Sequence, residues 1–295
     1  MRVTDSGMAE QYLSSIAKTQ GRLTNLQSQI ASGKRVQKVS DDPQAANSIL
    51  RLNSYLSSNV QYSKNNAEAL TMTDATMSSM QNFSDVLGQV KELVVRANNG
   101  ALTDERPTFA QTIDKLLDDA VNAANTQYNG KYLFAGTNTL QTPFTMAADR
   151  SAVTTNPNGI TGTIEYPVGE GMTQKVNMDG QEAFEGTSIF TTLINLRNSL
   201  NAGQLPNAAD ATALDNAIQY VNSQTSTVGM IVSQLNNNTD TLSAQNTQLT
   251  DLISTQGDTD IASAITQMKQ EETNLEAALN VTAQIIPKSL LDYLR

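Results

Sequence analysis

The 295-residue chain contains no cysteine, no histidine and no tryptophan. Without cysteine there are no disulfides, thiol nucleophiles or thiolate metal sites. Without histidine the commonest general base and the commonest transition-metal ligand are both missing. Aromatic residues make up 5% of the chain, so a large aromatic core or a base-stacking platform is not expected. The first thirty residues lack an apolar run of the kind that marks a cleavable secretory signal. No stretch approaches the ~18 consecutive apolar residues that span a bilayer. On this physics alone the chain reads as cytosolic, non-enzymatic and free of cofactor or metal. The net charge of −10 disfavours nucleic acid and anionic membrane as partners, because both require a basic stripe. The short cluster Lys34-Arg35 with Lys38 reads as a solvated loop.

What is present is helical periodicity. Tyr12, Ile16, Leu23, Leu26 and Ile30 occupy heptad a and d positions up to Gly33, which is placed as a C-cap. Asp42-Pro43 opens the next helix: the carboxylate can accept from first-turn N–H groups, and proline lacks the N–H that would go unbonded there. Its apolar stripe of Ile49, Leu52, Leu56, Val60, Ala67, Leu70, Met77, Met80, Leu87, Val90 and Val94 predicts an uninterrupted helix to about residue 98. A third helix is expected over about 103–126, with Asp104 and Glu105 in its first turn and Phe109, Ile113, Leu116, Leu117, Ala120 and Ala124 buried. Asn129-Gly130 is a hairpin signal, and Lys131–Phe134 reads as a strand.

Between 136 and 186 the composition shifts to Gly, Pro, Thr and Asn. A hairpin is expected around Gly169-Glu170-Gly171, with Pro167 confining its strand to an edge. So short an insert is expected to be an appendage with little core of its own. Helices resume at Ser188, with Ile189, Leu193, Leu196 and Leu200 on one face. Leu214, Val221, Val228, Leu235, Leu242 and Leu249 then recur every seven residues, with Ile218, Thr225, Val232, Thr239, Asn246 and Ile253 as a companion row. A strict seven-residue repeat keeps one seam against a partner helix. Asp258 and Asp260 are read as caps of a last helix bearing Ile261, Ile265, Met268, Leu275, Leu279 and Ile286, interrupted at Pro287.

The matched lengths of the 43–98 and 208–254 helices predict antiparallel pairing, with helices 103–126 and 188–202 covering them. The fold class is therefore mainly α: an elongated antiparallel bundle or coiled coil formed by both chain ends, with a small β-rich insert. Three parts are expected: paired terminal helices at 1–40 and 256–295, disordered in the free monomer; a helical rod at 41–135 and 187–255; and the insert at 136–186.

Chemical readings of single features give way to structural ones. Asp41-Asp42 suits a helix cap better than a carboxylate dyad. Met8, Met72, Met77, Met80 and Met268 lie at core spacing rather than in an adaptable groove. Asp179-Gly180 with Glu182 and Glu185 lacks calcium-loop spacing and reads as a turn. An enzymatic site built from Tyr166, Lys175 and Glu182 has no supporting pattern. The terminal stripes differ: thin amphipathic helices with no third partner point to an assembly interface made of Ile16, Leu23, Leu26, Ile30, Ile265, Leu275, Leu279, Leu290, Leu291 and Leu294.

Ser32-Gly33-Lys34-Arg35-Val36, followed by Ser40-Asp41-Asp42-Pro43 and Ala45-Ala46, resembles the N-terminal signature of the flagellin superfamily. Ala124-Asn125-Thr126 with Tyr128–Thr137 is similar to its hook–filament junction members, the hook-associated proteins, while the tail Ser289–Arg295 fits either class. Filament flagellin stays open as the alternative. The resemblance implies a secreted structural subunit at the hook–filament junction of the bacterial flagellum, exported by the type III route without a cleaved signal. That replaces the cytosolic expectation. The implied partners are copies of itself in a ring, hook-associated protein 1 on the hook side, flagellin on the filament side and an export chaperone at the C-terminal helix.

Overall fold

The structure is a computed structural model that describes the backbone of residues 5–98, 104–186 and 188–293, and the side-chain surroundings of 10–98, 104–186 and 188–283. Its helices are α1 (Asp5–Ser32), α2 (Pro43–Ala97), α3 (Arg106–Ala124), α4 (Gly180–Phe184), α5 (Ser188–Asn201), α6 (Ala208–Gly257) and α7 (Ile261–Tyr293). Its strands form three antiparallel pairs: β1 (Gln127–Tyr128) with β2 (Lys131–Tyr132), β3 (Phe144–Met146) with β4 (Val153–Thr155), and β5 (Glu165–Gly169) with β6 (Met172–Lys175). The expected class, mainly helical with a small β-rich part, is borne out. α7 continues through Pro287 rather than being interrupted there, although a proline removes a ladder hydrogen bond and crowds the carbonyl four residues before it. The chain divides into two compact units, residues 1–58 with 245–295 and residues 59–244. The divisions fall inside α2 and α6, not at the loops near 40 and 256 where composition changes.

In the 59–244 unit, α2 and α6 run antiparallel. Asn66 donates to Thr239, Ser84 donates to Asn222 across 2.7 Å, and Lys91 pairs with Asp215 at 2.8 Å, so position falls on α6 as it rises on α2. The seven-residue row of α6 is buried from Leu214 to Leu242, as its period requires. α3 packs on α5, and every expected buried position of both helices is buried. Asp104 and Glu105 precede the α-helix instead of forming its first turn, and Glu105 makes no side-chain cap bond.

Two expectations fail here. The middle of α2 does not bury Val60 and Ala67; its inward face is Asn66, Ala69, Thr73, Thr76 and Ser79. These small and polar groups let other chain segments approach closely. Thr73 bonds the carbonyl of Val176, Ser79 that of Ala123, and Asn66 that of Leu235. The second failure concerns aromatics. Five of the six phenylalanines converge: Phe184 has ring centroids at 4.4 Å from Phe83, 4.8 Å from Phe134, 5.8 Å from Phe144 and 6.2 Å from Phe190. Scarce aromatics therefore still build an aromatic core, because five of the phenylalanines are spent in one place.

Three of those rings come from Phe134 or from the 136–186 insert, which shares one continuous core with α2, α3, α5 and α6. The insert is no appendage. Its fifty residues need no core of their own because they complete the core of the helices. Gly136 shows how tightly: at φ +59 a Cβ would lie 2.2 Å from the Thr161 carbonyl oxygen. The Asn129-Gly130 turn has φ of 49 and 74, the two positive values a two-residue hairpin loop demands. β5–β6 carries an irregularity between Pro167 and Gly169, and Val168 and Val176 pack with Ala69 and Leu235.

Candidate functional site

The candidate site is the unit built from both chain ends. α1 and α7 pack against each other. From α1 the inward positions are Ile16, Thr19, Leu23, Leu26 and Ile30; from α7 they are Ala264, Met268, Glu271, Leu275, Ala278 and Thr282. Both sets follow alternating three- and four-residue steps, the spacing of a two-helix seam. Thr19 and Ala264, rather than large apolar groups, are its most buried members. Arg22 clamps the pair from the side, donating from Nε and Nη2 to the two Glu271 carboxylate oxygens at 2.9 and 3.1 Å and from Nη2 to Thr19. That bidentate bond holds the Glu271 carboxyl below the usual carboxylate range.

The loop after α1 is built, not merely solvated. Asp42 caps α2, its Oδ1 accepting from the Ala45 N–H at 3.0 Å, and Pro43 is the first helical residue, as expected. Asp41 accepts from the N–H groups of Gln37 and Lys38 and so closes the loop on itself. The Ala45 N–H first, and then Arg35, hold the Asp42 carboxyl below its ordinary pKa. Arg35 reaches further, to the Gln256 carbonyl at 2.7 Å. Lys34 forms an ion pair with Asp258, and its residue bridges Asp258 through the backbone as an antiparallel pair. The Gly257 carbonyl accepts from Arg35 N–H, and the Gly33 carbonyl accepts from Thr259 N–H. Lys34 and Arg35, expected as solvated, are thus the cross-link between the α1–α2 and α6–α7 loops. Asp258 belongs to that cross-link instead of capping α7; Asp260 alone caps, accepting from Ser263 N–H at 3.1 Å. Only opposite charge in the two loops hints at this in the sequence, where 224 positions separate the partners.

The expected interface residues divide. Ile16, Leu23, Leu26, Ile30 and Leu275 lie half-buried in the α1–α7 seam, whereas Ile265 and Leu279 face outward at 42% and 51% exposure. The side chains of Leu290, Leu291 and Leu294, like that of Met8, lie outside the described residues. Sequence reasoning missed Leu13, Val39, Leu50, Tyr55 and Val281, all exposed apolar groups of the same unit. Isolated from any long stripe, they carry no periodic signal.

The chemistry tested elsewhere is absorbed by structure. Tyr166 donates to Glu68 at 3.0 Å, Lys175 pairs with Glu182, and Asp179 caps α4 through the N–H groups of Gln181 and Glu182. Among the described residues no group of three acidic side chains could hold a metal ion, and no helix is long and apolar enough to cross a membrane.

Comparison with known proteins fits this layout. The bacterial flagellin N-terminal helical region matches residues 3–139 and the bacterial flagellin C-terminal helical region residues 211–294. Flagellar hook-associated protein 3 of Salmonella typhimurium is 34% identical over 149 residues, covering 50% of this chain and 47% of that protein. The chain thus spans about half the length of the hook-associated relatives it matches. Flagellin of Bacillus subtilis is 24% identical over 319 residues, covering 100% of both chains. Among solved structures, Bacillus cereus FlgL superposes with a TM-score of 0.60 at 21% identity, covering 69% of this chain and 99% of that one. The flagellar junction protein FlgL from Legionella pneumophila gives 0.60 at 16%, covering 73% and 100%, a likeness of fold. With both terminal helical regions matched, over about three quarters of its length, the chain belongs to the flagellin family.

Proposed function

We propose that the chain is a non-enzymatic structural subunit of the bacterial flagellar hook–filament junction. The observation that carries this reading is the incompleteness of the terminal pair. Its seam only half-buries Ile16, Leu23, Leu26, Ile30 and Leu275, while Leu13, Ile261, Ile265, Leu279 and Val281 stand in solvent. A two-helix pair of this kind buries too little surface to be stable alone; neighbours covering the open groups supply the rest. In this reading the interface comprises Ile16, Leu23, Leu26, Ile30, Ile265, Leu275, Leu279, Leu290, Leu291 and Leu294, and residues 1–40 and 256–295 order fully on assembly. The subunit leaves the cell by the flagellar export route, its C-terminal helix held by a chaperone until then. Copies form a ring between hook-associated protein 1 and the first flagellins.

A cell lacking the gene tests this. Intact hooks with flagellin released into the medium are expected; hooks bearing normal filaments overturn the reading. Filament flagellin is the second reading, favoured by the end-to-end match to the Bacillus subtilis protein. Seeding the purified chain with filament fragments separates the two: indefinite elongation supports flagellin, and a limited cap supports the junction.

A further inference from the structure

The 59–244 unit carries a cleft of about 200 Å³ that the junction reading does not use. Its apolar lining is Met72 of α2, Leu133 just after β2 and Ile164 just before β5. Tyr128 of β1, Tyr132 of β2 and Tyr166 of β5 line it as well, three of the chain's eight tyrosines. All three are half-buried, whereas the clustered phenylalanines are sealed in the core. Tyr166 donates to one oxygen of Glu68 at 3.0 Å, and the other oxygen accepts no bond among the described residues. Burial, and then Glu68, push the Tyr166 pKa up, so its hydroxyl stays a donor at neutral pH. The side chains of Asn129, Lys131, Thr137 and Thr139 also border the cleft and make no hydrogen bond among the described residues.

We propose that this cleft binds one neutral sugar ring. Size sets the first limit: the cleft is smaller than the roughly 300–1,000 Å³ of sites for drug-sized ligands, so it takes a single ring and not a peptide helix. Charge sets the second. The Glu68 carboxylate and the Lys131 ammonium offset each other, so neither an anion nor a cation is favoured over a neutral ligand. The mixture of groups decides the class. The C–H face of a sugar ring packs against apolar side chains and against tyrosine rings, whose π faces are negative. Its hydroxyls, at the edge, can donate to Glu68, accept from Lys131, and do both with Asn129 and the two threonines. An apolar side chain in the same place would strip water from those polar groups and return no hydrogen bonds. The proposal uses no residue of the terminal helices and so holds or fails independently of the junction reading.

Saturation-transfer NMR on the purified full-length chain, with methyl glycosides of glucose, galactose, mannose and N-acetylglucosamine as probes, tests it. At least one glycoside should show transfer to its ring protons, with a Kd in the millimolar range expected of so small a contact. Glu68→Gln should weaken that binding about fivefold to tenfold, because the sugar loses a charged acceptor. Tyr166→Ala should abolish it, while Tyr166→Phe, which keeps the ring, should retain part of it. Glu68 is exposed, so Glu68→Gln leaves folding intact and carries the test should the alanine variant unfold. A disaccharide of the responding sugar separates two sources: a signal as strong as the glycoside's identifies the end of a sugar chain, and a signal confined to the single ring identifies a small solute. Either supports the assignment. No transfer from any probe at about 50 mM overturns it, as does binding that Glu68→Gln and Tyr166→Ala both leave unchanged. Transfer to N-acetylphenylalanine amide in place of the glycosides overturns it in favour of a peptide side chain.

Discussion

The 59–244 unit and the unit formed by residues 1–58 and 245–295 use similar helices to opposite ends. In the first, four helices and an insert share one core in which Phe83, Phe134, Phe144, Phe184 and Phe190 are fully buried. In the second, the α1–α7 pair buries a narrow seam, and Leu13, Leu50, Tyr55, Ile261 and Leu279 stay exposed. The difference is the number of layers. A helix pair has one seam and cannot cover the flanks of its stripes, while a bundle with a β insert covers them from several sides. The first unit covers its apolar groups within a single chain; the second leaves several of them exposed.

The contrast can be broken most sharply at Phe184. Replacing it with alanine removes a ring packed against four others and should lower the stability of the 59–244 unit by about 3–5 kcal/mol in urea unfolding. A loss below about 1 kcal/mol would mean that the aromatic cluster is not the centre of that unit. Gly136→Ala is expected next, at about 2–5 kcal/mol, combining a left-handed backbone with a collision against the Thr161 carbonyl. If this variant unfolds like the parent, the insert is the loosely attached part that its composition suggested. In the terminal pair, Leu26→Ala removes a half-buried side chain and should cost about 1 kcal/mol in the free chain. The same change should weaken assembly in sedimentation; a cost there equal to that in the free chain would deny the unit its open face.

The smallest effect is pH-dependent. Asp114 of α3 accepts from Arg150 in the β3–β4 turn and from Arg197 of α5, fastening the insert to the helices. Burial raises its pKa, but the hydrogen bonds from the two guanidinium groups outweigh burial and hold the carboxyl below its usual range. A depressed carboxylate contributes stability above its unfolded pKa, and that contribution fades as pH falls through the folded value. Below about pH 4 the parent should therefore lose part of its stability, and Asp114→Asn should flatten this acid slope. Because the group is about one-third exposed, the change is a modest shift in midpoint. An unaltered acid slope in the variant would exclude the cluster as a fastening.

Periodicity was legible wherever one face of a helix meets one partner. The row from Leu214 to Leu242, the buried faces of α3 and α5, and the seam from Ile16 to Ile30 all follow from spacing alone. So do the caps at Asp42 and Asp260, since a carboxylate before a helix has local work to do. Where several elements meet, the pattern fails. Asn66, Thr73 and Ser79 look like solvent-facing residues of α2, yet they are buried because carbonyl groups of other segments arrive there. The assignment of Lys34, Arg35 and Asp258 to one cross-link was equally hidden, since nothing local distinguishes a paired loop charge from a solvated one.

What the sequence determined by itself was the set of helices and their amphipathic faces, because both are written in short-range spacing; its terminal motifs added the family by resemblance. Which apolar residues remain uncovered was decided only by tertiary structure. Ile265 and Leu275 read alike in a heptad, and only the position of α1 puts Leu275 in a seam and leaves Ile265 exposed. Burial is a property of what lies opposite a residue, and in the terminal pair the opposite residue is more than two hundred positions away.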